Sequence, residues 1–275
     1  LSLGYSPCPN DTFIFHGLVH GLAEAAGLGL AEPVLADVET LNEWALAGSL
    51  DVTKISCHAL GHVLSEYQLL NAGAALGRGC GPLLVAREEL SPDELPRCRI
   101  AIPGRLTTAA LLLKLFAPRC TDLVVMRFDL IMPAIVAGQV EAGVIIHESR
   151  FTYRQHGLLC LRDLGAWWEE ESGAPIPLGC IVARRSLGRA RLALIEQLLR
   201  ASVQQAFADP GLSRDYVGSH ARELDARVIA QHIDLYVNPF SLDLGAEGRA
   251  AIATLLAKGR EAGLFPSGAQ RGELF

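Results

Sequence analysis

The sequence predicts an α/β protein of two lobes, with mostly parallel sheets, helices on both sheet faces and a ligand cleft between the lobes. Three observations carry this. Ala47-Gly48-Ser49-Leu50-Asp51-Val52 recurs as Ala137-Gly138-Gln139-Val140-Glu141-Ala142, each copy at a helix end that runs into a short apolar strand. Leu84-Val85-Ala86-Arg87 returns as Ile181-Val182-Ala183-Arg184, one copy before the second module and one after it. Strand and helix signals alternate through both modules, which calls for right-handed crossovers and parallel pairing.

Taken in order, Leu1–Tyr5 reads as the first strand. Ser6-Pro7-Cys8-Pro9-Asn10-Asp11 then turns the chain, because two prolines exclude a ladder or a helix interior. Asn10 or Asp11 caps a helix expected to run to about Ala25. Pro33–Val38 is the second strand, Thr40–Gly48 a short helix and Leu50–Ser56 the third strand. The second module repeats this grammar. Arg99–Ile102 is a strand and Pro103-Gly104-Arg105-Leu106 a turn. Thr107 or a neighbour caps a helix through about Ala117. Leu123–Phe128, the helix Asp129–Gly138 and the strand Glu141–His147 follow. The echoed segments are strands that carry the chain out of the first lobe and back. Gly77-Arg78-Gly79-Cys80-Gly81 loosens the backbone at the first joint; a strand follows it, so it is no dinucleotide fingerprint.

From Leu187 the chain reads as helical, with helices at Leu187–Ala208, around Leu224–Leu235 and at Ala246–Ala262. Asn238-Pro239 and Pro266-Ser267-Gly268 break them. Lobe one is therefore expected to comprise residues 1–84 and 185–275, and lobe two residues 85–184 as an insertion. This is the plan of the type II periplasmic-binding-protein fold, which closes on small, often anionic molecules.

Composition narrows the function. With 24 basic and 30 acidic residues in 275 the net charge is −6, and no basic stripe points to nucleic acid as a partner. No apolar run approaches the roughly 18 residues of a membrane span; Ala109–Ala117, the longest, is interrupted by Lys114. Seven cysteines without a Cys-x-x-Cys pair read as reduced thiols in the cytoplasm. A small molecule is the expected partner.

In a lobe of strand order 2-1-3, ligands gather at the carboxyl ends of strands one and three. That places residues 6–12, 54–58, 103–108 and 147–150 at the cleft. Thr107 and Thr108 open a helix after a glycine turn, where hydroxyls and unpaired amides suit a carboxylate or phosphate; an ordinary N-cap is the plainer reading. Asn10 is a polar contact on the other wall, and Asp11 a cap or loop organiser. Lys54 and Ser56 share one strand face and Ile55 takes the other; a solvated edge charge is the alternative for Lys54. His147 follows three β-branched residues and titrates near neutrality, which suits a general base. A structural histidine bonded to a loop carbonyl is its alternative. His16/His20 and His58/His62 have i, i+4 spacing but lack the glutamate of the zinc-protease motif. No Gly-x-Ser-x-Gly elbow is present. Cys8, without an identifiable base, reads as structural.

Ser6-Pro7-Cys8-Pro9-Asn10-Asp11-Thr12-Phe13 and Ile145-Ile146-His147-Glu148-Ser149-Arg150-Phe151-Thr152-Tyr153 resemble the 1,4-dihydroxy-6-naphthoate synthases of the futalosine route to menaquinone. Asp37-Val38-Glu39-Thr40-Leu41-Asn42, Gly104 to Thr108, Asp163 to Glu169 and Phe240-Ser241-Leu242-Asp243 match as well. The resemblance implies a binding-protein fold turned to catalysis, with no metal and no organic cofactor. It implies a carbon–carbon lyase that converts cyclic dehypoxanthine futalosine to the naphthoate and dihydroxyacetone. The family's proton acceptor falls on His147 and its substrate contacts on Lys54, Ile55, Ser56, Thr107 and Thr108. His58, after the Lys-x-Ser, raises the question of a second titrating group. Two other readings are a non-catalytic solute-binding protein for a small carboxylate, and a chorismate dehydratase of the same pathway.

Overall fold

The computed structural model describes residues 1–221, 225–266 and 274. The chain starts with β1 (Leu3–Tyr5), α1 (Pro9–His16), β2 (Val34–Leu35), α2 (Val38–Leu46), β3 (Val52–Ser56) and α3 (Cys57–Val63). β4 (Tyr67–Leu69), β5 (Ala75–Gly77) and β6 (Leu83–Ala86) lead to the second module. There β7 (Ile100–Ile102), α4 (Thr108–Phe116), β8 (Leu123–Val125), α5 (Phe128–Val136) and β9 (Ala142–Ile145) repeat the pattern. α6 (Ser149–Thr152), β10 (Leu159–Asp163), α7 (Leu164–Ser172) and β11 (Ile176–Arg184) bring the chain back. The tail forms α8 (Arg189–Ala208), α9 (Arg214–His220), α10 (Ala226–Tyr236), α11 (Pro239–Leu242) and α12 (Gly245–Glu261). The expected helix start at Leu224 and the breaker residues Ser267 and Gly268 lie outside the described residues.

Two sheets result. The first has the order β2-β1-β3-β11-β4, with β5 also on β11, and the second β10-β6-β9-β7-β8. Each contains the 2-1-3 arrangement, so each puts a switch point beside its first and third strands. The sheets are mixed, which corrects the expectation of mostly parallel pairing. β1 pairs in parallel with β2 and β3, and β7 with β8 and β9. The echoed segments run against this direction: β6 is antiparallel to β9 and β11 to β3. A strand that crosses between lobes enters beside the third strand from the opposite end, without a helical crossover to reverse it. The two joints are thus equivalent, one in each sheet.

The first helix shows how a neighbour overrides local propensity. It stops at His16 instead of near Ala25, and Gly17–Gly21 forms a π turn. The Ser202 hydroxyl on α8 accepts from Leu18 N at 2.8 Å and donates to Ile14 O at 2.6 Å. It stands between the donor and acceptor that would have continued the α ladder, and such an insertion widens a helix locally.

One hydrophobic core runs through both lobes, joining Leu60 and Val63 of α3, Leu111 and Leu112 of α4, Trp168 of α7 and Leu255 of α12. A second packs α1 and α8 on the outer face of the first sheet, and a third packs α5 on the second sheet. At the joint, Gly81 and Gly165 lie backbone to backbone, so that a Cβ on either would meet the other's main chain. The lobes are therefore fused at the joint side and leave a cavity beside the switch points. Among the described residues no helix is long and apolar enough to cross a membrane.

Candidate active site

The two switch points border one cavity, whose atom-free space, open solvent at its entrance included, is about 630 Å³. All four expected segments reach it, through Ser6, Asn10 and Asp11, through Lys54 and Ser56, through Thr107 and Thr108, and through His147. Ile55 does not. Strand alternation turns its side chain into the shared core, where it is fully buried, so the expectation of a substrate contact there is corrected for the side chain.

The lobe-one wall is organised by Asp11. Its Oδ2 accepts from the Ser6 hydroxyl at 2.7 Å and from Ser6 N at 3.3 Å. Its Oδ1 accepts from Asn10 Nδ2 at 2.8 Å and from Lys54 Nζ at 2.6 Å. Lys54 is 4% exposed, which excludes the solvated edge charge: this is a buried ion pair at the cavity wall. Asn10 Oδ1 in turn accepts from His232 Nε2 at 2.9 Å, since the Asn10 amide nitrogen is engaged by Asp11. Ser56 is fixed by Asn42, whose Oδ1 accepts from Ser56 N at 2.8 Å and whose Nδ2 donates to Ser56 Oγ at 3.1 Å.

On the facing wall, Thr107 is the N-cap of α4: its hydroxyl accepts from Ala110 N at 3.2 Å and donates to Gly104 O at 2.9 Å. The Thr108 hydroxyl donates to Leu178 O at 2.6 Å and accepts from His58 N at 3.3 Å. Both hydroxyls are thus structural. The anion-binding capacity of this wall rests on the amides of Thr108 and Ala109, which as the first two helical residues have no intrahelical acceptor.

His147 stands two residues beyond β9, which ends at Ile145, and not on the strand itself. Its φ of 56° is the one positive value among the described non-glycine residues. Such a conformation at a site is held by its surroundings against local preference. The half-buried ring packs edge-on to Phe128, centroids 4.9 Å apart, and parallel to His232 at 6.0 Å. Nε2 lies 3.8 Å from Cys8 Sγ, a weak contact that a substrate hydroxyl can displace. Burial pushes the imidazole below its usual range, against the opposing pull of the Glu148 and Asp11 carboxylates. It is therefore unprotonated at neutral pH and able to accept a proton. Burial pushes the Cys8 thiol up, with the Glu148 charge adding to it. A thiolate–imidazolium nucleophile is disfavoured, and Cys8 serves as packing for the base.

Several residues of the site carried no signal in the sequence. Tyr236 and Gly179 are among the further residues that line the cavity, and His232 sits fully buried behind Asn10 and His147. His232 and Tyr236 lie on the tail helix α10, whose apolar period shows only which face is inside. Arg150, a candidate for orienting His147, points instead to the joint, where it pairs with Asp163 at 2.6 Å and donates to Gly81 O. His58 is not a second titrating group in the cleft. Its Nδ1 lies 3.1 Å from Thr107 O, its ring packs on His62 and Phe265, and burial with the neighbouring His62 pushes its pKa down to about 3.

Burial likewise holds His62 and His232 below the ordinary range. In the unfolded chain these imidazoles titrate near about 6.5, so below that pH the unfolded state binds more protons than the folded one. Their contribution to stability is complete above that value and is lost as the pH falls toward the folded pKa values. The urea midpoint is expected to drop between about pH 7.5 and about pH 5, and His58→Gln to flatten that dependence.

A family model described as menaquinone biosynthesis matches residues 1–261. A 1,4-dihydroxy-6-naphtoate synthase of Thermus thermophilus is 52% identical over 264 residues, 96% of this chain and 95% of the relative. One of Streptomyces coelicolor is 47% identical over 272 residues, 97% and 95% of the two chains. Among solved structures, a protein of Archaeoglobus fulgidus matches with a TM-score of 0.88 and 35% identity, over 96% of this chain and 98% of that one. An alkanesulfonate-binding protein of Xanthomonas axonopodis, bound to MOPS, matches with a TM-score of 0.71 at 16% identity, over 97% and 94%. That last likeness shows the periplasmic-binding-protein fold alone.

Proposed function

The chain belongs to the menaquinone-biosynthesis family of 1,4-dihydroxy-6-naphthoate synthases, and from that premise we propose that it is a carbon–carbon lyase with His147 as its general base. Its substrate in this reading is cyclic dehypoxanthine futalosine, and its products are the dihydroxynaphthoate and dihydroxyacetone. The observation that carries the reading is that the His147 imidazole and the start of α4 line one cavity from the second lobe, opposite the Lys54–Asp11 pair of the first, with burial holding the imidazole below its usual range.

The α4 amides and the Lys54 ammonium hold the substrate carboxylate and polar groups at opposite walls. His147 takes the proton of a substrate hydroxyl, and the alkoxide collapses to a carbonyl as the carbon–carbon bond breaks. The imidazolium returns that proton to the carbon that takes the bond's electron pair, so atoms and charge balance. Aromatisation of the new ring drives the step, and a positioned base contributes about two to four orders of magnitude. The apolar remainder of the lining keeps water from the intermediate. The seven unpaired cysteines support a reducing, cytoplasmic setting.

The test is incubation of purified protein with cyclic dehypoxanthine futalosine and mass detection of both products. Binding without turnover would replace this reading with a solute-binding protein, and product from chorismate would replace it with the dehydratase.

A further inference from the structure

We infer that Glu39 is a positioning residue that latches the two lobes across the mouth of the cleft and ties the latch to Ser56. Glu39 lies in the first turn of α2, between two strands of the first sheet. Its carboxylate reaches over to the second lobe, where Leu106 N donates to Oε1 at 3.0 Å and to Oε2 at 3.1 Å. Leu106 belongs to the turn that presents the start of α4, so the contact grips the loop beneath the amides of Thr108 and Ala109. The same Oε2 accepts from Asn42 Nδ2 at 3.1 Å, and Asn42 holds both the amide and the hydroxyl of Ser56. One chain of hydrogen bonds thus runs from the helix start on one wall to Ser56 on the other.

The opposing surface is shaped for this carboxylate. Gly104 lies so close that a Cβ there would overlap the Glu39 side chain. Burial pushes the Glu39 carboxyl up, against the bonds from Leu106 and Asn42 that favour its charge. A half-buried carboxylate is retained at that cost when its charge-assisted bonds require it. The stretch Asp37 to Asn42, to which the mechanism assigns no role, is the segment that builds the latch: Asp37 caps α2 by accepting from Glu39 N and Thr40 N.

This inference rests on the same cleft as the proposed function, but it is read out separately. Glu39→Ala, Gly104→Ala and the double variant are compared with the parent. With product and substrate available, each single variant is expected to raise KM on the order of tenfold, with kcat changed less, as loss of one charge-assisted contact implies. The double variant is expected to match Glu39→Ala alone, because removing the glutamate vacates the space into which the Gly104→Ala methyl projects. Small-angle scattering of the ligand-free proteins is expected to show Glu39→Ala more extended than the parent, a readout that stands whether or not the substrate assignment does. Unchanged KM and scattering in folded Glu39→Ala would overturn the latch, and so would a double variant whose loss is the product of the two singles.

Discussion

Replacing His147 with Asn is expected to lower kcat by about two to four orders of magnitude with the fold intact. Asn is the appropriate substitution because the residue sits at a φ of 56°. Asn tolerates that left-handed backbone, whereas a residue without a short polar side chain would confound the loss of the base with strain. The ring contacts with Phe128 and His232 are lateral packing, and a smaller side chain at a half-buried position disturbs them little. The parent's kcat/KM is expected to fall on acidification, as His147 gains the proton that blocks it. Burial places that acid limb below the ordinary imidazole value near about 6.5, so the parent keeps its activity to a lower pH than a solvated histidine would allow. The residual rate of His147→Asn is expected to lose this limb. A variant that turns over as the parent does would remove His147 from the base role.

The strand–helix grammar of the two modules was readable because each element is short, apolar and punctuated by glycine or proline. It led to the 2-1-3 order in both sheets and to all four segments at the cleft. The antiparallel entry of β6 and β11 was not readable, since Leu84-Val85-Ala86 and Ile181-Val182-Ala183 are apolar runs that carry no direction. The early end of α1 depends on one hydroxyl, Ser202, nearly two hundred residues downstream in the chain. Ile55 illustrates the opposite case: strand alternation alone turned it away from Lys54 and Ser56, and the family resemblance outweighed that reading. His147 was found by residue type and position, yet its left-handed backbone was invisible in the sequence, because nothing but a glycine would have announced it. His232 and Tyr236 were out of reach for a further reason: a tail helix reports its buried face, not what that face touches.

Asp11→Ala is expected to cost about 3–5 kcal/mol of folding stability, the range for breaking a buried ion pair from one side. The effect should be asymmetric. Among the described residues Asp11 is the one acceptor of the Lys54 ammonium, at 2.6 Å, and Lys54 is 4% exposed. Without the carboxylate a charge is left in a nearly dry wall. Lys54→Met leaves Asp11 with three other donors, from Ser6 N, Ser6 Oγ and Asn10 Nδ2, and is expected to be the gentler substitution. The double variant Asp11→Ala/Lys54→Met removes both charges and should be more stable than Asp11→Ala alone by at least about 2 kcal/mol. Urea unfolding of the four proteins yields the coupling energy directly. Activity should not recover with stability, because the double variant lacks the ammonium at the cavity wall and leaves Asn10 free to turn from His232. Recovery of both would mean that the pair only holds the wall together; recovery of stability without activity would mean that the pair also serves the substrate, through the Lys54 ammonium or through the Asn10 that Asp11 holds.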